Sequence, residues 1–371
     1  MKKLTILLAL VPMLLLSACT GNQAKFNVKV LHSEGATVNV INVASGDIIV
    51  SLAGDVENDE LPLAGKADKN ALLAVQKEGD SWQTLFFNDG TPITVDLADR
   101  SLKGSPMNEK LTAYDLDMNA IDNDYDKLVS EFRALAPEEQ QAGVEDFRAK
   151  AAALDDKYEG KIKEIVNDNK DNLIPAAFVN LIAQTLDESE TEAFFAADAP
   201  YAKHPATLAV KEELDSQKAR MAEIEAAKQA SIGKKFTDLE EPDTDGNMHK
   251  LSEYLGQGKW VFVDFWASWC GPCRAEMPNV VAAYEKYHPK GLEIVGLSFD
   301  NDKEAWVKAI KELKMPWIHL SDLKGWQTVA SDTYNIKSIP SSMLVDPEGI
   351  IVARDLRGEA LGAKLAEVFG E

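Results

Sequence analysis

Between residues 24 and 103 the chain runs in short, strand-like stretches. KFNVKVL, ATVNVINV, DIIVSLAG, ALLAVQK and WQTLFFNDGTPITVDL are rich in β-branched and aromatic residues, and several alternate apolar with polar positions. Turn signals separate them: His32-Ser33-Glu34-Gly35, Ser45-Gly46-Asp47 and Asn88-Asp89-Gly90. The last predicts a hairpin, because Asp-Gly suits the positive φ angles of a tight turn. Residues 24–104 are therefore expected to form a small antiparallel β domain, a sandwich. At Ser105-Pro106 the pattern changes. Serine followed by proline reads as a helix cap and first position, and Pro137, Pro175 and Pro205 punctuate further helix starts. Apolar residues recur at helical spacing and glycine is scarce, which predicts four or five amphipathic helices over 105–230. The charge-rich run AKAAALDDKYEGKIKEIVNDNKDN reads as a solvated helix face.

A linker at Ser231-Ile232-Gly233-Lys234-Lys235 leads to a third pattern. Buried-strand runs (WVFVDFWA, LEIVGLSF, WIHL, SSMLVD, IIVARDL) alternate with helical ones (CRAEMPNVVAAYEKYH, KEAWVKAIKEL, WQTVASDTY, GAKLAEVFG). Residues 231–371 are thus expected to be an α/β module around a central sheet. The fold class is multidomain: an antiparallel β domain, a helical region and a C-terminal α/β domain.

Composition narrows the function. The chain has 371 residues, is 45% hydrophobic and carries a formal net charge of -22. Such a charge repels nucleic acid backbones and anionic lipid, so neither is an expected partner. The N-terminus adds a destination. Lys2 and Lys3 precede an apolar run from Leu4 to Leu16 that is too short to span a bilayer. Leu16-Ser17-Ala18-Cys19 resembles a lipobox, which implies a signal peptide over 1–18, a lipidated Cys19 and a short tether over 19–23. Thr20 rather than aspartate follows the cysteine. By resemblance to enteric sorting, this implies a periplasm-facing anchor in the outer membrane of the cell envelope.

The chain has only three cysteines. One is Cys19; the others are Cys270 and Cys273 in FVDFWASWCGPCRAEMP. They sit where a predicted strand gives way to a predicted helix. A helix N-terminus offers unpaired N–H groups and a positive dipole end, so a thiolate there is stabilised. Two intervening residues bring the sulfurs within disulfide reach, and Pro272 suits the first turn, where its missing N–H costs nothing. A zinc site would need two more ligands; the five histidines are scattered, and no metal is expected. Glu241-Pro242-Asp243-Thr244-Asp245-Gly246 imitates the start of a calcium loop, but its twelfth position is Ser252 rather than glutamate, so it reads as a turn.

VDFWASWCGPC resembles the thioredoxin superfamily. The longer run from DFWASWCGPCRAEMP through VGLSFDNDKEAW to SIPSSMLVDPEGIIVARDLRGE resembles membrane-tethered thiol–disulfide oxidoreductases of the TlpA/ResA type, over about residues 232–371. The resemblance implies an exposed nucleophile at Cys270 and a resolving cysteine at Cys273, with no cofactor beyond the redox-active disulfide Cys270–Cys273. It implies a cis proline at Pro340, with Ile339 facing a docked client strand, and Trp269, Gly271 and Pro272 around the docking surface. Trp266 is expected beside the site, and Pro278 as the kink of the active-site helix. Two acids compete to handle the resolving proton: Asp264, whose burial in an apolar strand should raise its pKa, and Glu276, one turn after Cys273. The clan also contains peroxiredoxins, which carry threonine three residues before the reactive cysteine; here that residue is Ala267. Expected partners are exported thiol or disulfide clients, among them apocytochrome c, and a membrane thiol donor. Residues 24–230 resemble, more weakly, an N-terminal region that precedes such modules in bacterial lipoproteins. That leaves a second reading open, a client-binding or isomerase scaffold, and leaves homo-oligomerisation open too.

Overall fold

The computed structural model describes residues 23–55 and 60–371, so the expectations for the leader, Cys19 and all of the tether but Gln23 lie outside the described residues. The chain divides into two compact units, one ending at Asp215 and the other running from Ser216 to Glu371.

Among the described residues of the first unit the strand-like stretches become eight strands: β1 (Gln23–Leu31), β2 (Thr37–Asn42), β3 (Ile48–Ala53), β4 (Glu60–Asp68), β5 (Leu72–Lys77), β6 (Thr84–Phe87), β7 (Ile93–Asp96) and β8 (Ser101–Lys103). They form two four-stranded sheets, ordered β4-β1-β7-β8 and β3-β2-β5-β6. Alternation in β1 turns Phe26, Val28 and Val30 inward, where they meet Val38, Val40 and Val75 of the other sheet in one core. That shared core makes the unit a sandwich.

Two details differ from the sequence pattern. Asn88-Asp89-Gly90 does not close a hairpin: β6 pairs with β5, while β7 joins β1 and β8 in the other sheet. The segment is a crossing between layers, fixed by buried Asn88, whose Nδ2 donates to the carbonyls of Ala24 and Ala67, both at 3.2 Å. As a result β7 runs parallel to β1, from Val28 opposite Ile93 to Leu31 opposite Asp96. The turn residues determine a local reversal; which sheet the next strand enters depends on where its inward side chains find cover.

Helices follow: α1 (Pro106–Ala134), α2 (Pro137–Asn167), α3 (Ile174–Ala177), α4 (Val179–Thr185), α5 (Glu188–Ala196) and α6 (Pro205–Ser231). Ser105 caps α1, its hydroxyl accepting from Asn108 N at 3.4 Å. The residue before it must be glycine: Gly104 has φ +114, and a Cβ there would lie 2.4 Å from Pro92 O. The helices share a core with the sandwich, Leu111, Met118, Ile162 and Phe178 packing with Phe87 of β6. Asn108 closes the join, its Oδ1 accepting from Phe87 N at 2.8 Å and its Nδ2 donating to Phe87 O at 3.0 Å.

The second unit begins within α6 and holds β9 (Glu240–Pro242), β10 (Met248–Lys250), β11 (Trp260–Trp266), α7 (Gly271–Tyr287), β12 (Leu292–Ser298), α8 (Lys303–Glu312), β13 (Ile318–Leu320), α9 (Val329–Tyr334), β14 (Ser341–Val345), β15 (Ile351–Arg354) and α10 (Gly358–Phe369). Five strands make the central sheet in the order β13-β12-β11-β14-β15. β11, β12 and β13 run parallel, β14 runs antiparallel to β11, and β15 runs antiparallel to β14. β11 is paired on both edges and buried along nearly its whole length, which is why its sequence is almost continuously apolar. Its single acid is Asp264. In the β9–β10 turn Asp243 Oδ1 accepts from the backbone N–H groups of Asp245 at 2.8 Å and Asn247 at 2.9 Å, so the calcium-like stretch is a turn held by its own aspartate.

Candidate active site

β11 delivers the chain to the reactive turn and α7 takes it away. Cys270 is the N-cap of α7, and its Sγ accepts the N–H of Cys273 at 3.1 Å. Pro272 occupies the first turn, where no intrahelical acceptor is lost. Cys270 and Cys273 are joined by a disulfide, S–S 2.03 Å, with Cα atoms 5.2 Å apart.

The expected exposed Cys270 needs correcting. Cys270 is 4% exposed and Cys273 1%. Cys270 Sγ faces inward because it both bonds Cys273 Sγ and caps the helix N–H beneath it. What faces solvent around it is Trp269, 53% exposed, with Gly271 and Pro272 also exposed. Trp266, by contrast, is fully buried and meets His319 edge-on at 5.6 Å.

Asp300, which the sequence did not single out, holds the turn before Cys270. Its buried carboxylate accepts from Ser268 N at 2.9 Å, Ser268 Oγ at 2.5 Å and Ser298 Oγ at 2.7 Å. Its place was indicated only indirectly. It follows the end of β12, the parallel neighbour of β11, and the carboxyl ends of parallel strands are where such sheets build sites.

The two candidate acids have different surroundings. Asp264 is 6% exposed, and its Oδ2 has no hydrogen-bond partner among the described residues. Burial is the main force pushing its pKa up, to about 7; the nearby Glu276 carboxylate adds to the rise and the Arg357 guanidinium opposes it. Glu276 is engaged on both oxygens: Oε1 accepts from Gly358 N at 2.7 Å, at the start of α10, and Oε2 accepts from Asn279 Nδ2 at 3.1 Å. Arg357 donates to the carbonyl of Pro340. The Arg357-Gly358 corner therefore binds the Pro340 loop to α7, the helix that carries Cys273. The Ile339–Pro340 peptide bond is cis, and both residues are half-buried. Asp264, Glu276, Pro340 and the two cysteines are thus gathered around one end of α7, while Cys19 lies outside the described residues.

Residues 232–354 match the AhpC/TSA family. Among curated proteins, the chain is similar to the thiol–disulfide oxidoreductase ResA of Bacillus thuringiensis subsp. konkukian, 32% identical over 136 residues, which are 37% of this chain and 75% of the relative. It is similar to ResA of Bacillus anthracis as well, 33% identical over 121 residues, 33% of this chain and 67% of the relative. Among solved structures, the thioredoxin domain of a thiol–disulfide oxidoreductase from Bacteroides vulgatus is 36% identical, covering 37% of this chain and 97% of that one with a TM-score of 0.35.

Proposed function

This chain belongs to the ResA family of thiol–disulfide oxidoreductases, and on that premise we propose that it is a lipid-anchored reductase of exported proteins. The observation that carries this reading is the Cys270–Cys273 pair at the N-terminus of α7, with an acid of raised pKa and a free oxygen in the strand before it.

In the reduced enzyme, Cys270 attacks one sulfur of a client disulfide as the thiolate. A mixed disulfide forms and the first client sulfur leaves as a thiolate that takes up a proton. Cys273 then gives its proton to Asp264 and attacks Cys270 Sγ. The second client sulfur leaves, and the enzyme is left with the Cys270–Cys273 disulfide. Two electrons have passed to the client, and a membrane dithiol restores them. Ile339 and Pro340 border the docking strip, and Trp269, Gly271 and Pro272 surround the sulfur. Glu276 acts by holding α7 to α10, with Oε1 on the N–H of Gly358 and Oε2 on the amide of Asn279. Cys19 carries the lipid, the enzyme faces the periplasm from the outer membrane, and its clients include apocytochrome c.

Two measurements test this. With Cys273→Ser, mixed disulfides with clients should accumulate, and with Cys270→Ser none should form; the reverse pattern would exchange the two roles. The midpoint potential should lie nearer the roughly −270 mV of a reducing thioredoxin than the roughly −120 mV of a strong oxidant. A value at the oxidising end would overturn the reductase direction.

A further inference from the structure

Two tryptophans stand half-exposed beside the reactive turn. Trp269 is 53% exposed and Trp326 45%, whereas Trp266 and Trp306 of the same unit are buried. The two exposed rings lie 6.2 Å apart, tilted by 56°. Trp326 belongs to a single 3₁₀ turn, Gly325–Gln327, between β13 and α9. It is not a loose surface residue: its ring meets Phe299 edge-on at 5.2 Å, and Phe299 in turn packs against Phe265 of β11 at 6.5 Å.

The turns that carry the two rings are fastened to one residue. The Asp300 carboxylate holds the N–H of Ser268, the neighbour of Trp269, and the Asp300 carbonyl accepts from the N–H of Gly325, the neighbour of Trp326, at 3.3 Å. The result is an aromatic surface whose two supporting turns are both tied to Asp300. Large rings with few rotatable bonds lose little entropy when covered, which makes such a surface a strong anchor point.

The occupant follows from its position. Trp269 is joined directly to Cys270, so a polypeptide that brings a sulfur onto Cys270 also covers Trp269, and Trp326 continues that surface. We propose that Trp269 and Trp326 form an apolar clamp that binds an aromatic or aliphatic side chain adjacent to the client's disulfide cysteine, and that Trp326 is a specificity-determining residue. The clamp rests on the reading of Cys270 as the sulfur that attacks the client.

The test uses the purified full chain in its reduced form and three disulfides. Two are synthetic peptides, each with one intramolecular disulfide, differing only in leucine or serine next to the attacked cysteine. The third is hydroxyethyl disulfide, which has no side chain to clamp. The wild type should reduce the leucine peptide roughly 10-fold faster in kcat/KM than the serine peptide, the scale of one apolar pocket contact. Trp326→Ala should bring the two within about 2-fold while leaving hydroxyethyl disulfide unchanged, and Trp326→Phe should restore the preference. A wild type that reduces all three without preference overturns the clamp and leaves the oxidoreductase reading standing. So does a Trp326→Ala variant that keeps the preference, or that slows hydroxyethyl disulfide equally. If the wild type sediments as a dimer that Trp326→Ala dissociates, with no peptide preference, the surface serves a second copy and the client clamp is wrong. A wild type inert toward all three removes both the clamp and the reading beneath it.

Discussion

Glu276 Oε1 accepts the backbone N–H of Gly358 at 2.7 Å, which ties the helix bearing Cys273 to the start of the closing helix. That bond separates the two acids near the cysteines. Glu276 accepts a hydrogen bond on each oxygen, whereas Asp264 keeps one buried oxygen without a partner among the described residues.

Asp264→Asn should therefore slow resolution of the mixed disulfide by ~10²-fold or more near neutral pH, since positioned proton transfer contributes about 10²–10⁴. The first attack by Cys270 should change less. Glu276→Gln keeps an oxygen for Gly358 and should leave resolution within a few-fold. Single-turnover rates of each step decide it, because steady-state turnover hides a step behind re-reduction. If Glu276→Gln slows resolution and Asp264→Asn does not, the roles are exchanged.

Stability should depend on pH through two buried acids. Asp264 has its pKa raised to about 7 by burial, as does Glu241, which is fully buried with one oxygen accepting from Thr328 Oγ1 at 2.7 Å and the other without a partner among the described residues. The folded chain binds these protons more tightly than the unfolded chain, so their contribution favours folding at low pH and is lost as pH rises from about 4 to about 7. Above that, each buried carboxylate is a penalty. Asp264→Asn and Glu241→Gln should each gain stability over the wild type at pH 8, by roughly 1–4 kcal/mol, and gain little or nothing near pH 4. Denaturant unfolding of the oxidised protein at both pH values measures this; an equal gain at both would show that ionisation is not the cause.

Asp300→Ala should loosen the reactive turn. It leaves Ser268 N and Ser298 Oγ without their carboxylate acceptor, a loss of about 2–4 kcal/mol in unfolding free energy for charge-assisted bonds. Asp300→Asn retains one acceptor oxygen and should lose about half as much. Amide hydrogen exchange at Ser268 gives the local readout, and unchanged protection in Asp300→Ala would show that the turn is held otherwise.

Cys19→Ala should abolish labelling by a radiolabelled fatty acid and slow removal of the leader. Wild-type protein that partitions into the aqueous phase of a detergent separation would remove the anchor.

Local pattern alone was enough to read the elements of the C-terminal unit, because a buried parallel strand must be apolar on both faces and a helix start must cap its free N–H groups. WVFVDFW and CGPC announce both, and the chemistry of two thiols at a helix start is local as well. Asp264 was legible for the same reason: a lone acid in a strand with no polar face has to be buried. The alternation in β1 likewise revealed one inward face, yet not which sheet would cover it. That is why Asn88-Asp89-Gly90 looked like a hairpin and proved to be a crossing. What joins residues far apart in the chain had no local signal. Asp300 reaches Ser268 only because β12 pairs with β11 in register. Glu276 meets Gly358 only because α10 returns across α7. Trp326 faces Trp269 only because the loop after β13 is hung from the carbonyl of Asp300. Sequence spacing determines which side chains share a turn or a face; burial and strand pairing decide which distant ones meet.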